Sequence, residues 1–202
     1  VPRLIDHDAR HREIAAASLR VLERDGLGAL SVRGVADEAG IAAASLRRAF
    51  PTQHALREYC LVLIEERVTA RIADVRGGAA GRALVEAILA QLLPLDAERR
   101  SELVAQIQLG VLALSDVRLR ASTTRLNDAV GQACRACLGI LDSAGALGSG
   151  RDVNVETDRL HALIDGVALQ LVWDVAAVAP DRAAGILARH LDDISRDVGG
   201  AG

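Results

Sequence analysis

Ser31-Val32-Arg33-Gly34-Val35-Ala36-Asp37-Glu38-Ala39-Gly40-Ile41-Ala42-Ala43-Ala44-Ser45-Leu46-Arg47-Arg48-Ala49-Phe50 is the stretch on which the reading of this chain turns. Counted from Val32, Ala36 falls fifth, Gly40 ninth and Leu46 fifteenth, the spacing of a helix-turn-helix. A small Ala36 lets the second helix cross closely, Gly40 supplies a left-handed turn residue, and Leu46 turns inward against Val35 and the preceding helix. That orientation leaves Ala43, Ala44, Arg47 and Arg48 facing outward. An ordinary helical hairpin meets the same three requirements, so the spacing alone leaves DNA binding open.

On either side the apolar residues recur with helical rather than alternating period, and Gly and Pro fall between the periodic segments. The predicted fold is all-α. A first helix over 6–24 carries Ile14, Ala17, Val21 and Leu22 on one stripe and stops at Asp25-Gly26. Ser31 caps a short helix ending near Ala39, and a second short helix runs over 43–50 to Pro51. A long helix follows over 53–75, then Gly77 to Gly81 as a linker. Further helices are expected over 81–93, 96–114 with Asp96 as cap, 117–144 with Asp116 as cap, 155–178 and 181–197, with 145–154 a loop. The functional division is placed at 52/53, giving a three-helix DNA-binding domain over 1–52 and a helical ligand-binding and dimerisation bundle over 53–202.

Composition narrows the classes. The chain has 202 residues, half of them hydrophobic, enough for a packed core without staples. A net charge of −3 argues against a wholesale polyanion binder, yet residues 1–57 hold nine Arg against seven acids and the remainder fifteen against twenty. Any nucleic-acid surface therefore belongs at the N-terminal end. No apolar run approaches the ~20 residues of a membrane span, and no leader is evident. Three cysteines, Cys60, Cys134 and Cys137, make no even disulfide framework. A cytoplasmic location is the expectation.

The segment Ser31 to Ile41, with Ser45-Leu46, Phe50 and Leu56, resembles the N-terminal signature of the TetR family of transcriptional regulators over roughly residues 10–60. Leu93-Pro94-Leu95-Asp96 with Arg99-Arg100, and Leu163 to Gln170, is similar to the C-terminal domain of the choline-responsive repressors in that family. The resemblance implies a homodimer that binds near-palindromic double-stranded operator DNA and is released by a small-molecule effector. It departs where the family usually carries Gly-Thr-Leu-Tyr-x-Tyr-Phe: here stands Ala44-Ser45-Leu46-Arg47-Arg48-Ala49-Phe50. Two phosphate-binding tyrosines are absent, and Gln53 stands at the usual lysine. Arg47 and Arg48 are the candidates to replace that charge, because guanidinium binds phosphate or guanine in bidentate geometry. The resemblance thus carries over no operator sequence. Resemblance and outward placement together assign Arg33 and Arg48 to base edges, and Ser31, Arg47, Thr52 and Gln53 to phosphates, beside Ala43 and Ala44 on the same face. Solvated surface arginines are the plainer alternative.

The helix over 155–178 is apolar nearly all round, with Leu160, Ile164, Val167, Leu171, Val175 and Val178 on one side and Leu163, Leu169, Val172, Trp173 and Ala176 on the other. Such a helix must be buried on both sides, one on its own bundle and one on a second copy, with the last helix completing the interface. Polar residues on otherwise apolar helices, Gln106, Asn127, Gln170 and Asp174, together with Trp173, are the candidate ligand contacts; facing solvent or the dimer seam is the alternative. Phe50 and Tyr59 belong to the DNA-binding end, leaving Trp173 as the sole aromatic of the C-terminal part. One ring cannot cage a quaternary ammonium, so an aliphatic or weakly polar effector is expected rather than choline.

His7 and His11, four apart on one helix, are read as a solvated face rather than a metal pair. Cys134 and Cys137 are read as buried packing rather than a redox pair. No P-loop, dinucleotide fingerprint or nucleophile elbow appears, so neither an enzyme nor a cofactor is expected. A helical interaction module that has lost DNA binding is the alternative the missing tyrosines leave open, with an enzyme behind it.

Overall fold

The computed structural model describes residues 7–173 and 180–197. Within them the chain is all-α: α1 (His7–Asp25), a 3-10 turn (Leu27–Ala29), α2 (Val32–Glu38), α3 (Ala43–Ala49), α4 (Gln53–Val75), α5 (Gly81–Gln91), α6 (Ala97–Ala113), α7 (Val117–Ser143), α8 (Val153–Trp173) and α9 (Pro180–Ile194). No described helix is long and apolar enough to cross a membrane.

The chain forms two compact units. One combines residues 1–67 with 100–126; the other combines 68–99 with 127–202. These packing units differ from the functional division expected at 52/53, since the elements packed with α1 to α3 include the first half of α4, most of α6 and the start of α7. In the first unit Gln108 on α6 donates to the Leu22 carbonyl of α1 (2.8 Å), and Arg67 on α4 pairs with the buried Glu102 of α6 (3.3 Å). Ser122 and Arg125 on α7 reach Glu58 and Glu65 of α4 (3.2 and 2.9 Å).

The expected caps form. Asp96 accepts from the Arg99 amide (2.8 Å) and Asp116 from that of Arg118 (3.2 Å). The start of α8 falls two residues earlier than predicted, because Asp152 accepts from the Asn154 amide (2.8 Å) and so caps the helix at Val153. Its expected continuation to 178, with Val175, Ala176 and Val178, lies outside the described residues.

In the second unit the loop after α7 is stitched to the end of α9. The Gly148 amide donates to the Ile194 carbonyl (3.0 Å) and the Ser149 amide to Asp197 (2.8 Å). A Cβ at Gly148 would lie 2.0 Å from the Arg196 carbonyl oxygen, so only glycine fits there. Arg151 donates to the Asp193 carbonyl (2.7 Å) and to Glu156 (3.0 Å), which Arg159 also reaches (3.2 Å).

A candidate DNA-reading head and a groove in the second unit

Packing inside α1 to α3 fixes the outward face. Leu22, Leu30, Val35 and Leu46 are fully buried and Ala36 nearly so, which confirms the inward positions read from the spacing. Ser31 has extended backbone and its hydroxyl accepts from the Gly34 amide (3.1 Å), the N-cap of α2. At the other end Gly40 takes φ 64°, its amide donates to Asp37 and the Ile41 amide to Ala36. That pair of bonds is a Schellman turn; a residue with a Cβ is strained at this φ. Ala42 precedes α3 without any side-chain cap.

With the inner face fixed, Arg33, Arg47 and Arg48 are exposed, Ala44 is exposed and Ala43 half-buried. Arg33 stretches to within 4.0 Å of Asp37 with its side chain 92% exposed, so that contact holds it weakly. Arg48 donates to the Ser45 hydroxyl (3.3 Å). Thr52 and Gln53 have structural tasks as well. The Thr52 hydroxyl accepts from the Ala55 amide (3.1 Å), capping α4, and the Gln53 side-chain amide donates to the Leu30 carbonyl, tying α4 to the segment before α2. Gln53 therefore has one of its two amide hydrogens committed within the chain. Glu38 braces the head from behind, accepting from Arg20 and Arg24 on α1 (2.8 Å each); those two pairs hold its carboxyl below the usual range.

His11 is half-buried, with its ring centroid 4.8 Å from Phe50 and 5.7 Å from Tyr59, and those two rings are 5.4 Å apart. The solvated face expected for it is thus an aromatic cluster under α3, while the side chain of His7 lies outside the described residues. Among the described residues no group of three or more His, Cys, Asp or Glu is placed to hold a metal. Cys60, Cys134 and Cys137 are free and buried, and burial pushes each thiol up to about 12, away from nucleophilic chemistry.

The expected ligand contacts are scattered. Gln106 is half-buried in the first unit; Asn127, Gln170 and Trp173 are exposed in the second, Trp173 at 75%; Asp174 lies outside the described residues. A cavity of about 300 Å³ opens instead between α5 and α9, floored by Leu93 and Leu187 and edged by Glu86. Sequence reading missed it because its walls are alanines and a glycine, whose signal is absent volume rather than a polar group.

α8 divides along the two apolar stripes read in the sequence: every described member of the first is buried, and Leu163, Leu169 and Val172 of the second are half-buried. Leu160, Ile164, Val167, Ala168 and Leu171 are buried within the second unit, whereas Val155 (53%) and Trp173 (75%) are left exposed. The side available to a second copy is the one carrying Trp173.

Comparison with known proteins agrees with the geometry. Residues 14–60 match the bacterial regulatory proteins of the tetR family, and residues 81–196 match the C-terminal domain of BetI-type transcriptional repressors. The chain is 30% identical over 195 residues to the HTH-type transcriptional regulator PksA of Bacillus subtilis, covering 96% of this chain and 94% of that protein. A TetR transcription regulator from Haloarcula marismortui superposes with a TM-score of 0.80 at 21% identity, over 93% of this chain and 98% of that one. A putative transcriptional regulator from Saccharomonospora viridis in complex with choline superposes at 0.69 with 19% identity, over 92% and 95%. The chain belongs to the TetR family of transcriptional regulators, a family without enzymatic activity, and carries a DNA-binding helix-turn-helix followed by a BetI-type repressor domain.

Proposed function

We propose that the protein is a cytoplasmic repressor that binds a near-palindromic operator as a homodimer and leaves it when a small molecule binds the helical bundle. The carrying observation is the exposure of Arg33, Arg47 and Arg48 on two short helices whose opposite faces are fully buried. Arg33 and Arg48 read base edges; Arg47, Ser31, Thr52 and Gln53 hold phosphates, with Ala43 and Ala44 allowing close approach to the groove. A dimer through α8 and α9 sets the two recognition helices one helical turn apart, about 34–36 Å. Effector binding tilts α4 and changes that separation through its differential affinity for the two states.

The effector is aliphatic or weakly polar. The C-terminal part has one aromatic residue, Trp173, and it stands largely in solvent, so a cage for a quaternary ammonium is absent among the described residues. The choline held by the Saccharomonospora protein belongs to that protein's own pocket. Of the polar residues expected to orient it, Gln106 is half-buried and remains the candidate, whereas Asn127 and Gln170 are exposed.

Selection of bound sequences from a random DNA pool, followed by titration of the selected site, tests the DNA half. Arg33→Ala and Arg48→Ala each weaken the selected site by about 1–3 kcal/mol and relax one base position; Arg47→Ala weakens all sequences alike and lowers the salt slope. Unchanged binding in all three variants would overturn the assignment of these arginines to the DNA, and a pool from which the parent selects no sequence would leave a helical module without DNA contact.

A further inference from the structure

The α5–α9 cavity has a built chemistry that the repressor reading does not use. Its floor, Leu93 and Leu187, is 2% and 5% exposed. Its walls are Ala90 from α5 and Ala184, Gly185 and Ala188 from α9, residues too small to fill it. A Cβ placed on Gly185 meets nothing within 4 Å, so the space beside it is empty of protein. At about 300 Å³ the cavity suits a short alkyl chain, at the lower end of the range for ligand pockets.

Charge distinguishes its two ends. At the α5 edge stands Glu86, whose Oε1 accepts from Arg82 Nε (2.8 Å). The same guanidinium donates to Asp192 (2.6 Å) and to the Ala188 carbonyl (3.0 Å). One arginine thus serves two carboxylates, so this hydrogen-bonded trio carries one unit of negative charge in excess. At the other end Arg99 donates to the Ala90 carbonyl (2.8 Å) and pairs with Asp96 (2.9 Å), with Arg71 adding a weaker positive field at Asp96. That end carries no negative excess. An occupant that matches both features has an apolar body and one cationic group with N–H donors.

We infer that the groove between α5 and α9 binds a primary alkylammonium ion, its chain on Leu93 and Leu187 and its ammonium donating to Glu86. No aromatic residue lines the groove, so a quaternary ammonium, which has no N–H, finds neither a cage nor a hydrogen bond there. Binding itself does not depend on the repressor reading; only its consequence at the operator does.

Calorimetry of the full chain with n-octylamine hydrochloride, octyltrimethylammonium and n-octanol tests the assignment without DNA. The amine binds saturably and more tightly than the other two. Glu86→Gln weakens the amine by roughly tenfold, the worth of one charge-assisted hydrogen bond, and leaves octanol nearly unchanged. Gly185→Leu, which fills the space from a helical position and raises helix propensity, removes binding of all three. Failure of the amine to bind, or binding that survives both substitutions through general adsorption, overturns the inference. A parallel operator titration with the amine present reports on regulation alone: bound amine without operator release leaves the site standing and separates it from the effector pocket.

Discussion

Around Glu38 two exposed arginines from α1 meet a carboxylate that is itself half-buried, its side chain 19% exposed; around Glu156 two arginines meet one that is 4% exposed. The first cluster joins neighbouring helices of the reading head. The second joins the loop after α7 to α8 and α9, with Arg151 also holding the Asp193 and Arg196 carbonyls. Solvent screens the first, so it orients α2 on α1 without locking it. In the second, Glu156 and Arg151 are largely desolvated, and losing one strands the other. A head that must adjust to DNA and a bundle that must hold its shape therefore use the same residue pairing at different degrees of burial.

The comparison breaks most sharply at Arg151. Arg151→Ala leaves Glu156 with Arg159 alone and removes the side-chain bonds to the Asp193 and Arg196 carbonyls, so a loss of about 3–5 kcal/mol in unfolding free energy is expected. Arg20→Ala, which removes one of the two arginines on Glu38, leaves the denaturation midpoint nearly in place. Urea titrations of both variants decide it, and equal shifts would mean that burial does not separate the clusters.

A second difference lies in what each region leaves unsatisfied. In α2 and α3 the large apolar side chains Val35 and Leu46 are buried within the chain, but α8 keeps Trp173 75% exposed and Val155 53% exposed. A second copy covering the Trp173 side relieves that surplus. Trp173→Ala is then expected to weaken dimerisation by about 2 kcal/mol, the scale of an interface anchor, with the fold retained. As the sole tryptophan it is also its own reporter, its emission shifting to the red on dilution. Emission that stays fixed while light scattering shows dissociation would exclude it from the interface. Leu171 is the poorer probe, because at 6% exposure it is core of its own unit and a charge there unfolds the chain before it tests assembly.

The same contrast explains what could be read in advance. Ser31, Gly40 and Leu46 act over three to fifteen residues, through a cap, a turn and a helical period, all of which leave local marks in the sequence. Gly148, Ser149 and Arg151 act on partners some 45 residues away, and GALGSGRDVN shows only a loop. The cap at Asp152 is as local as that at Ser31, but it lies inside that loop, where no apolar period marks the helix start. Apolar periodicity located α8 without telling which face its own unit covers. Polar residues on apolar helices pointed to Asn127 and Gln170, which stand in solvent, while the groove is marked by small residues on helices about 95 positions apart.

The smallest effect sharpens the less buried side of the comparison. Glu38 ionises below the usual carboxylate range, chiefly because Arg20 and then Arg24 donate to it, against a lesser opposing effect of partial desolvation. A carboxyl whose folded value is depressed binds fewer protons folded than unfolded over the interval between the two values. Its stabilisation is therefore complete above the ordinary glutamate range near 4.5 and is lost as pH falls through the lower folded value. The reading head should accordingly keep its full stability at neutral pH and soften in acid. Glu38→Gln should flatten that slope while reducing stability at pH 7 only slightly. Far-UV melts of parent and variant between pH 7 and pH 3 measure the difference. Parallel slopes would show that Arg20 and Arg24 merely lie beside Glu38 without holding its charge, leaving Ser31, Gly40 and the Leu46 core to fix α2 and α3 on α1.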